Sequence, residues 1–238
     1  MKLDILAFAA HPDDVEISAG ATLLKYAKEG KKIGIVDLTG GELGTRGSVD
    51  IRREESEKAS KKIGLAIREN VGMKDGFFEI NESNKMALIK IIRKYKPTII
   101  LANSISDRHP DHARAGQLVA EAAFLSGLRK IETYEDAKSL PIHRPDIVLH
   151  YIQDQYIKPD VVLDVTSFME EKIELIKCFG SQFYNPNSEE PATPISGEEF
   201  FDFLRGRMLG FGRSIGVKYA EGFNSSRQLG INDLFDLK

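Results

Sequence analysis

Cysteine is nearly missing from this 238-residue sequence, with Cys178 its one example. A disulfide framework is therefore excluded, and so is a zinc site built on thiolates. Cys178 lies in "ELIKCFG", on a predicted helix face, where a free thiol packs as a small hydrophobe. An excess of basic charge is missing too: 33 Lys and Arg stand against 36 Asp and Glu, a net charge of −3. Without a basic arm or stripe, nucleic acid is not an expected partner. An anionic small substrate needs only local arginines and stays open. No apolar run approaches the roughly 20 residues that span a bilayer, so no membrane association is expected. Met1 leads straight into a strand pattern, with no basic n-region or apolar h-region of a secretory signal, and the expected location is the cytoplasm. Strand one carries no G-x-G-x-x-G and the glycine-rich loop no G-K-[ST], which removes the main support for a nucleotide-binding role.

What is present alternates. "LDILAFAA" (3–10) is, past Asp4, a continuous apolar run, as in a parallel strand buried on both faces. "VEISAGATLLKYAKEG" (15–30) has helical spacing. Strand patterns follow at 32–39, 98–104, 146–152 and 160–166, and helical patterns at 50–65, 85–97, 111–128 and 168–179. Alternating strands and helices predict an α/β fold, a single Rossmann-like domain over 1–238 with a mostly parallel sheet and helices on both faces. "YNPNSEEPATPISGEE" (184–199) is the one long loop signal, of the kind used as a lid or binding loop. Ligands of such sheets bind outside the C-terminal strand ends. His11–Asp14, the loop 40–48 and the segment 106–112 each follow a strand, so they should share one rim that forms the active site.

Three of the five histidines fall in two tetrapeptides, "HPDD" (11–14) and "HPDH" (109–112). Each stands at a predicted strand-to-helix junction, where residues i and i+3 can converge on one point. His11, Asp14 and His112 form a nitrogen and carboxylate set of the kind that holds catalytic Zn²⁺ with one position open, although iron(II) or cobalt would accept the same donors. Asp13 then lies beside the metal but free of it, able to take a proton from water. His109 is left to stabilise an oxyanion or protonate a leaving amine, with Asp111 holding it as an imidazolium. Helix capping alone would account for the aspartates and prolines of both motifs, because Asp suits the N-cap and Pro the first helical position. It does not account for the histidines. In "TGGELGTRG", Glu42 and Arg46 are offered to a ligand as rim residues, against a plain turn with solvated charges. Arg52 and Arg53 open the next helix, where the helix dipole disfavours cations, which suggests an acidic or hydroxyl partner.

With these motifs in place, the sequence resembles the LmbE-like, or PIG-L-type, zinc-dependent N-deacetylases. The resemblance runs in order through "AHPDDVEISAGATL", "TGGELGTRGS", "IRREESEKASKKIG", "DRHPDHARA", "KPDVVLDVT", "EKIELIKCFGSQF" and "YAEGF". It implies hydrolysis of the acetamide of a small N-acetylglucosamine conjugate. The text is most similar to the bacillithiol-biosynthesis branch, whose substrate is N-acetyl-glucosaminyl-L-malate. The resemblance implies metal on His11, Asp14 and His112, Asp13 as general base, and His109 with Asp111 as acid or oxyanion partner. It also implies a substrate-binding arginine at the start of the second helix, for which Arg52 is preferred over Arg53, a tyrosine near the scissile carbonyl, for which Tyr184 is offered, and a trimeric or hexameric assembly. Other readings of the same residues are a deacetylase of another N-acetylglucosamine derivative, a metal-dependent phosphoesterase, and a non-catalytic sugar- or nucleotide-binding protein.

Overall fold

The structure is a computed structural model, and it describes residues 1–237. The chain runs through β1 (Ile5–Ala9), α1 (Asp14–Lys28), β2 (Ile33–Thr39), α2 (Val49–Ile63), β3 (Ile67–Met73), α3 (Glu82–Tyr95) and β4 (Ile99–Ala102). It continues with α4 (Pro110–Leu125), β5 (Tyr134–Glu135), β6 (Lys138–Ser139), β7 (Ile147–Tyr151), β8 (Val161–Asp164), α5 (Met169–Ile176), α6 (Glu199–Ser214) and β9 (Ala220–Ser225). Seven strands form one sheet in the order β3-β2-β1-β4-β7-β9-β8. β1 is buried along its whole length and pairs in parallel with β2 and β4, as its unbroken apolar run requires. The pairings β2–β3 and β4–β7 are parallel as well, and β9 is antiparallel to both of its neighbours.

Successive residues of a strand face opposite sides of the sheet. Ile5, Ala7 and Ala9 therefore pack with Val15 and Ala19 of α1, Ile63 of α2, Ile173 of α5 and Leu204 of α6. Leu6 and Phe8 pack on the other side with Leu88 and Ile92 of α3 and Leu118 of α4. The expected α/β architecture, a mostly parallel sheet with helices on both faces, is what the chain adopts. Among the described residues no helix is long and apolar enough to cross a membrane.

β3, α6 and β9 lie outside the sequence expectations. β3 is an edge strand of mixed burial, and "IRENVGM" shows no apolar run. α6 carries Gly206, Gly210 and Gly212, residues that disguise a helical pattern. The loop signal at 184–199 corresponds to irregular chain that ends where α6 begins. Because β1 to β4 and β7 are parallel, the segments after each of them emerge on one edge of the sheet. That edge brings together His11–Asp14, the loop 40–48, Asp75, the segment 103–109 and Gln153.

Candidate active site

The first histidine motif leaves β1 and turns directly into α1. Asp13 stands at the turn with φ 117°, a backbone conformation that non-glycine residues rarely adopt. Such a conformation costs on the order of 1–3 kcal/mol and persists only where the surroundings over-determine it. Here Arg52 Nη2 donates to Pro12 O at 2.5 Å and to Asp13 Oδ2 at 3.1 Å, while Ile17 N donates to Asp13 O at 3.0 Å. The Asp13 side chain caps nothing. At the second motif Pro110 takes the first helical turn, and the cap of α4 is His109, whose Nδ1 accepts from Asp111 N at 3.3 Å. Capping by the aspartates therefore does not explain either tetrapeptide.

Asp14 is the centre of a buried polar cluster. Its Oδ2 accepts from His11 N and Asn103 Nδ2, both at 3.0 Å, and its Oδ1 accepts from Gln153 Nε2 at 3.1 Å. His112 Nε2 lies 3.1 Å from Oδ1, and His11 Nδ1 lies 3.6 Å from Oδ2. Each histidine has its other ring nitrogen on a carboxylate: His11 Nε2 is 3.0 Å from Asp75 Oδ1 and 3.4 Å from Asp111 Oδ2, and His112 Nδ1 bonds Asp107. With a carboxylate on each far nitrogen, His11 Nδ1 and His112 Nε2 are the nitrogens that face Asp14. The three rings of His11, His109 and His112 lie with centroids 4.7–5.4 Å apart. Two groupings of close donor atoms could hold a metal among the described residues, His11 with His109 and His112, and His11 with Asp75 and Asp111. In the first, His109 Nδ1 is occupied by the α4 cap. In the second, both acids are already hydrogen-bond partners of the His11 ring and of backbone amides, Leu43 N for Asp75 and Gly76 N for Asp111. Asp14 lies between the His11 and His112 rings, with a carboxylate oxygen 3.6 Å from His11 Nδ1 and another 3.1 Å from His112 Nε2.

Burial works against charge on His11, but contacts with Asp111, Asp14 and Asp75 hold it well above its ordinary value. Burial likewise opposes charge on His112, which Asp14 and Asp107 raise to about 9. Asp14 would be raised by burial, yet His112 and His11 hold it well below the usual carboxylate range. A cluster that attracts protons this strongly asks for positive charge, which a bound cation also answers. Asp13 differs from its neighbour: burial pushes it up to about 7, against the pull of Arg52 and with the push of Asp14. His109 is lowered by burial and by the nearby His11 and His112 rings.

An open cleft of about 230 Å³ exposes this cluster, lined also by Gly44, Arg52, Asp75, Gln182, Phe203 and Arg207. His11, Asp13, Asp14, Arg52, His109 and His112 all meet there. Several expectations are corrected. Asp111 does not hold the His109 ring: its carboxylate accepts from Gly76 N at 2.8 Å and Arg114 Nη1 at 2.5 Å, and only its backbone amide reaches His109. Arg53, one position and about 100° around the helix from Arg52, is exposed and pairs with Asp50. Glu42 braces the loop by accepting from Asp75 N at 2.8 Å and Gly40 N at 3.2 Å, and faces no ligand space in the cleft. Arg46 is buried against Ser188 and Glu190, tying the loop 40–48 to the segment 184–198. Tyr184 is 42 % exposed and lies outside the cleft. Asp75, Asn103, Gln153 and Arg207 belong to no motif and lie outside the sequence expectations.

Residues 6–123 match the family model described as PIG-L, GlcNAc-PI de-N-acetylase. The diacetylchitobiose deacetylase of Thermococcus kodakarensis is 30 % identical over 92 % of this chain and 81 % of its own length. A probable N-acetyl-alpha-D-glucosaminyl L-malate deacetylase of Bacillus anthracis is 25 % identical over 75 % of this chain and 81 % of its own. The crystal structure of a conserved protein from Thermus thermophilus superposes with a TM-score of 0.85 at 30 % identity, covering 97 % of this chain and 98 % of that one. Paired histidine motifs on one rim, a matching family model and a relative aligned along nearly the whole chain place this protein in the PIG-L family of GlcNAc de-N-acetylases.

Proposed function

We propose that this chain is a metal-dependent N-deacetylase that hydrolyses the acetamide of a small N-acetylglucosamine conjugate, with N-acetyl-glucosaminyl-L-malate as the preferred substrate and Zn²⁺ as the metal. The observation that carries the reading is the split between two adjacent aspartates. Asp14 is saturated by hydrogen bonds between His11 and His112, while Asp13 is buried, held by Arg52 and pushed up to about 7. A binding-only site has no use for a second carboxylate poised in this way.

His11 Nδ1, Asp14 and His112 Nε2 would hold the cation. When bound there, it supplies Lewis acidity toward a carbonyl oxygen and makes a neighbouring water more acidic. Asp13, a carboxylate beside the cation but not bound to it, takes the proton of the attacking water. Arg52 keeps the Asp13 carboxylate in place, and its Nε has no hydrogen-bond partner among the described residues. With His109 Nδ1 accepting the Asp111 amide, the neutral ring carries its proton on Nε2 and can hydrogen-bond the developing oxyanion, while Asp13 passes the proton it took from water to the leaving nitrogen. The amide C–N bond breaks, acetate leaves and the amine is released.

The experiment is acetate release by the zinc-loaded protein from N-acetyl-glucosaminyl-L-malate, diacetylchitobiose and free N-acetylglucosamine. The proposal expects the highest kcat/KM on the malate conjugate. A preference for diacetylchitobiose would keep the deacetylase and replace its substrate. Absence of acetate from all three would overturn the reading.

A further inference from the structure

One cation of the cleft has no acid in contact with it. Arg52 is paired with Asp13 at 3.1 Å, and Arg108 Nε with Asp154 Oδ2 at 2.6 Å. Arg207, on α6, has no carboxylate within ion-pair distance among the described residues, although it is half-buried in the cleft wall. Its guanidinium instead donates to two main-chain carbonyls, Gln153 O through Nη1 and Ile17 O through Nη2 at 3.5 Å. It also packs on the Phe203 ring, 5.5 Å from the centroid. Burial lowers it to about 10, so it stays charged at neutral pH.

Those carbonyls belong to different segments, one after β7 and one in α1, so the planar group is fixed before any ligand arrives. A guanidinium has five N–H donors, and two carbonyl bonds leave three. Glu221, Asp154 and Asp107 favour its charge from a distance but none contacts it, so a carboxylate arriving from the cleft would be its first direct counter-ion. Arg108, beside it in the cleft lining, is paired with Asp154, whereas among the described residues no carboxylate lies within ion-pair distance of Arg207, so a ligand carboxylate has no protein acid to displace from it.

Resting on the deacetylase reading for the orientation of the substrate, we propose that Arg207, with Arg108 beside it, binds a carboxylate carried by the aglycone of the amino-sugar substrate. Arg207 is then a specificity determinant rather than a participant in the chemistry. A carboxylate bound to a fixed guanidinium forms paired, charge-assisted hydrogen bonds, which a neutral sugar aglycone cannot match.

The test compares wild type, Arg207→Gln and Arg207→Lys on N-acetyl-glucosaminyl-L-malate and on diacetylchitobiose. The expected result is that the ratio of kcat/KM for the malate conjugate to that for chitobiose falls about tenfold or more in Arg207→Gln, through KM, with partial recovery in Arg207→Lys. Equal losses on both substrates would show that Arg207 only ties α6 to the carbonyls of Gln153 and Ile17, and would overturn the proposal. So would an unchanged ratio. Calorimetry with free L-malate and with inorganic phosphate gives a readout that does not depend on turnover. Malate binding that weakens at least tenfold in Arg207→Gln supports the carboxylate site even if no acetate is released from any conjugate. Tighter binding of phosphate than of malate, or no malate binding by wild type, would overturn it.

Discussion

At the scale of single residues, His11 to Asp14 show how neighbours are given different work by their surroundings. His11 and Asp14 face each other across the turn and are locked by Asp75, Asn103 and Gln153. Asp13 is turned away from them by its positive φ and handed to Arg52. The identities of these residues were legible in the sequence because two His-Pro-Asp tetrapeptides stand at two strand ends. Their supports were not, because Asp75, Asn103 and Gln153 come from three other loops and have no local pattern. Asp107 makes the point measurable. It bonds the far nitrogen of His112, and removing such a partner lowers metal affinity by about 10–100-fold in comparable sites. Asp107→Asn should therefore lose zinc to a competing chelator at correspondingly lower chelator concentration, with the fold retained by circular dichroism. Unchanged zinc affinity would remove Asp107 from the site.

At the scale of elements, the sequence reads well where burial is two-sided and poorly where it is not. β1 announces itself by an unbroken apolar run and β2 by one interrupted at Asp37, and both are buried throughout. β3 at the sheet edge and the glycine-rich α6 do not, since one lacks a continuous apolar face and the other lacks helix-favouring composition. The glycines of α6 are not equivalent. A Cβ on Gly212 would lie 2.7 Å from both Lys218 O and Val217 O, whereas one on Gly210 meets nothing within 4 Å. Backbone atoms cannot give way as a side chain can. Gly212→Ala should therefore destabilise the protein by about 1–3 kcal/mol. Gly210→Ala should stabilise it by up to about 1 kcal/mol, because alanine favours an exposed helix interior. Urea unfolding of the two variants checks both signs, and like signs would contradict the packing described for the end of α6.

At the scale of the whole molecule, the site depends on a charged core as well as an apolar one. Glu221 of β9 accepts from Thr22 N at 2.7 Å and Ala21 N at 3.1 Å in α1, and from Lys172 Nζ of α5 at 2.6 Å, all buried. Three elements are thus tied together, one of them the helix with Asp13 at its N-cap position and Asp14 at its start. Breaking such a buried pair by removing one partner is far more harmful than never having it, because a lone charge is left without water. Such long-range pairing has no signature in sequence spacing: Glu221 and Thr22 are 199 positions apart. The parallel sheet then does the rest, delivering five loops to one edge, where acids crowd the histidines and Arg52, Arg108 and Arg207 line the same cleft.

The division of labour between Asp13 and Asp14 is the claim on which this account stands, and zinc content and acetate release measured on the same purified samples of Asp13→Asn and Asp14→Asn test it most directly. The account predicts that Asp13→Asn keeps its zinc and loses acetate release by about 10²–10⁴-fold, whereas Asp14→Asn loses the zinc itself. Zinc lost from Asp13→Asn, or turnover retained in it, would contradict the assignment.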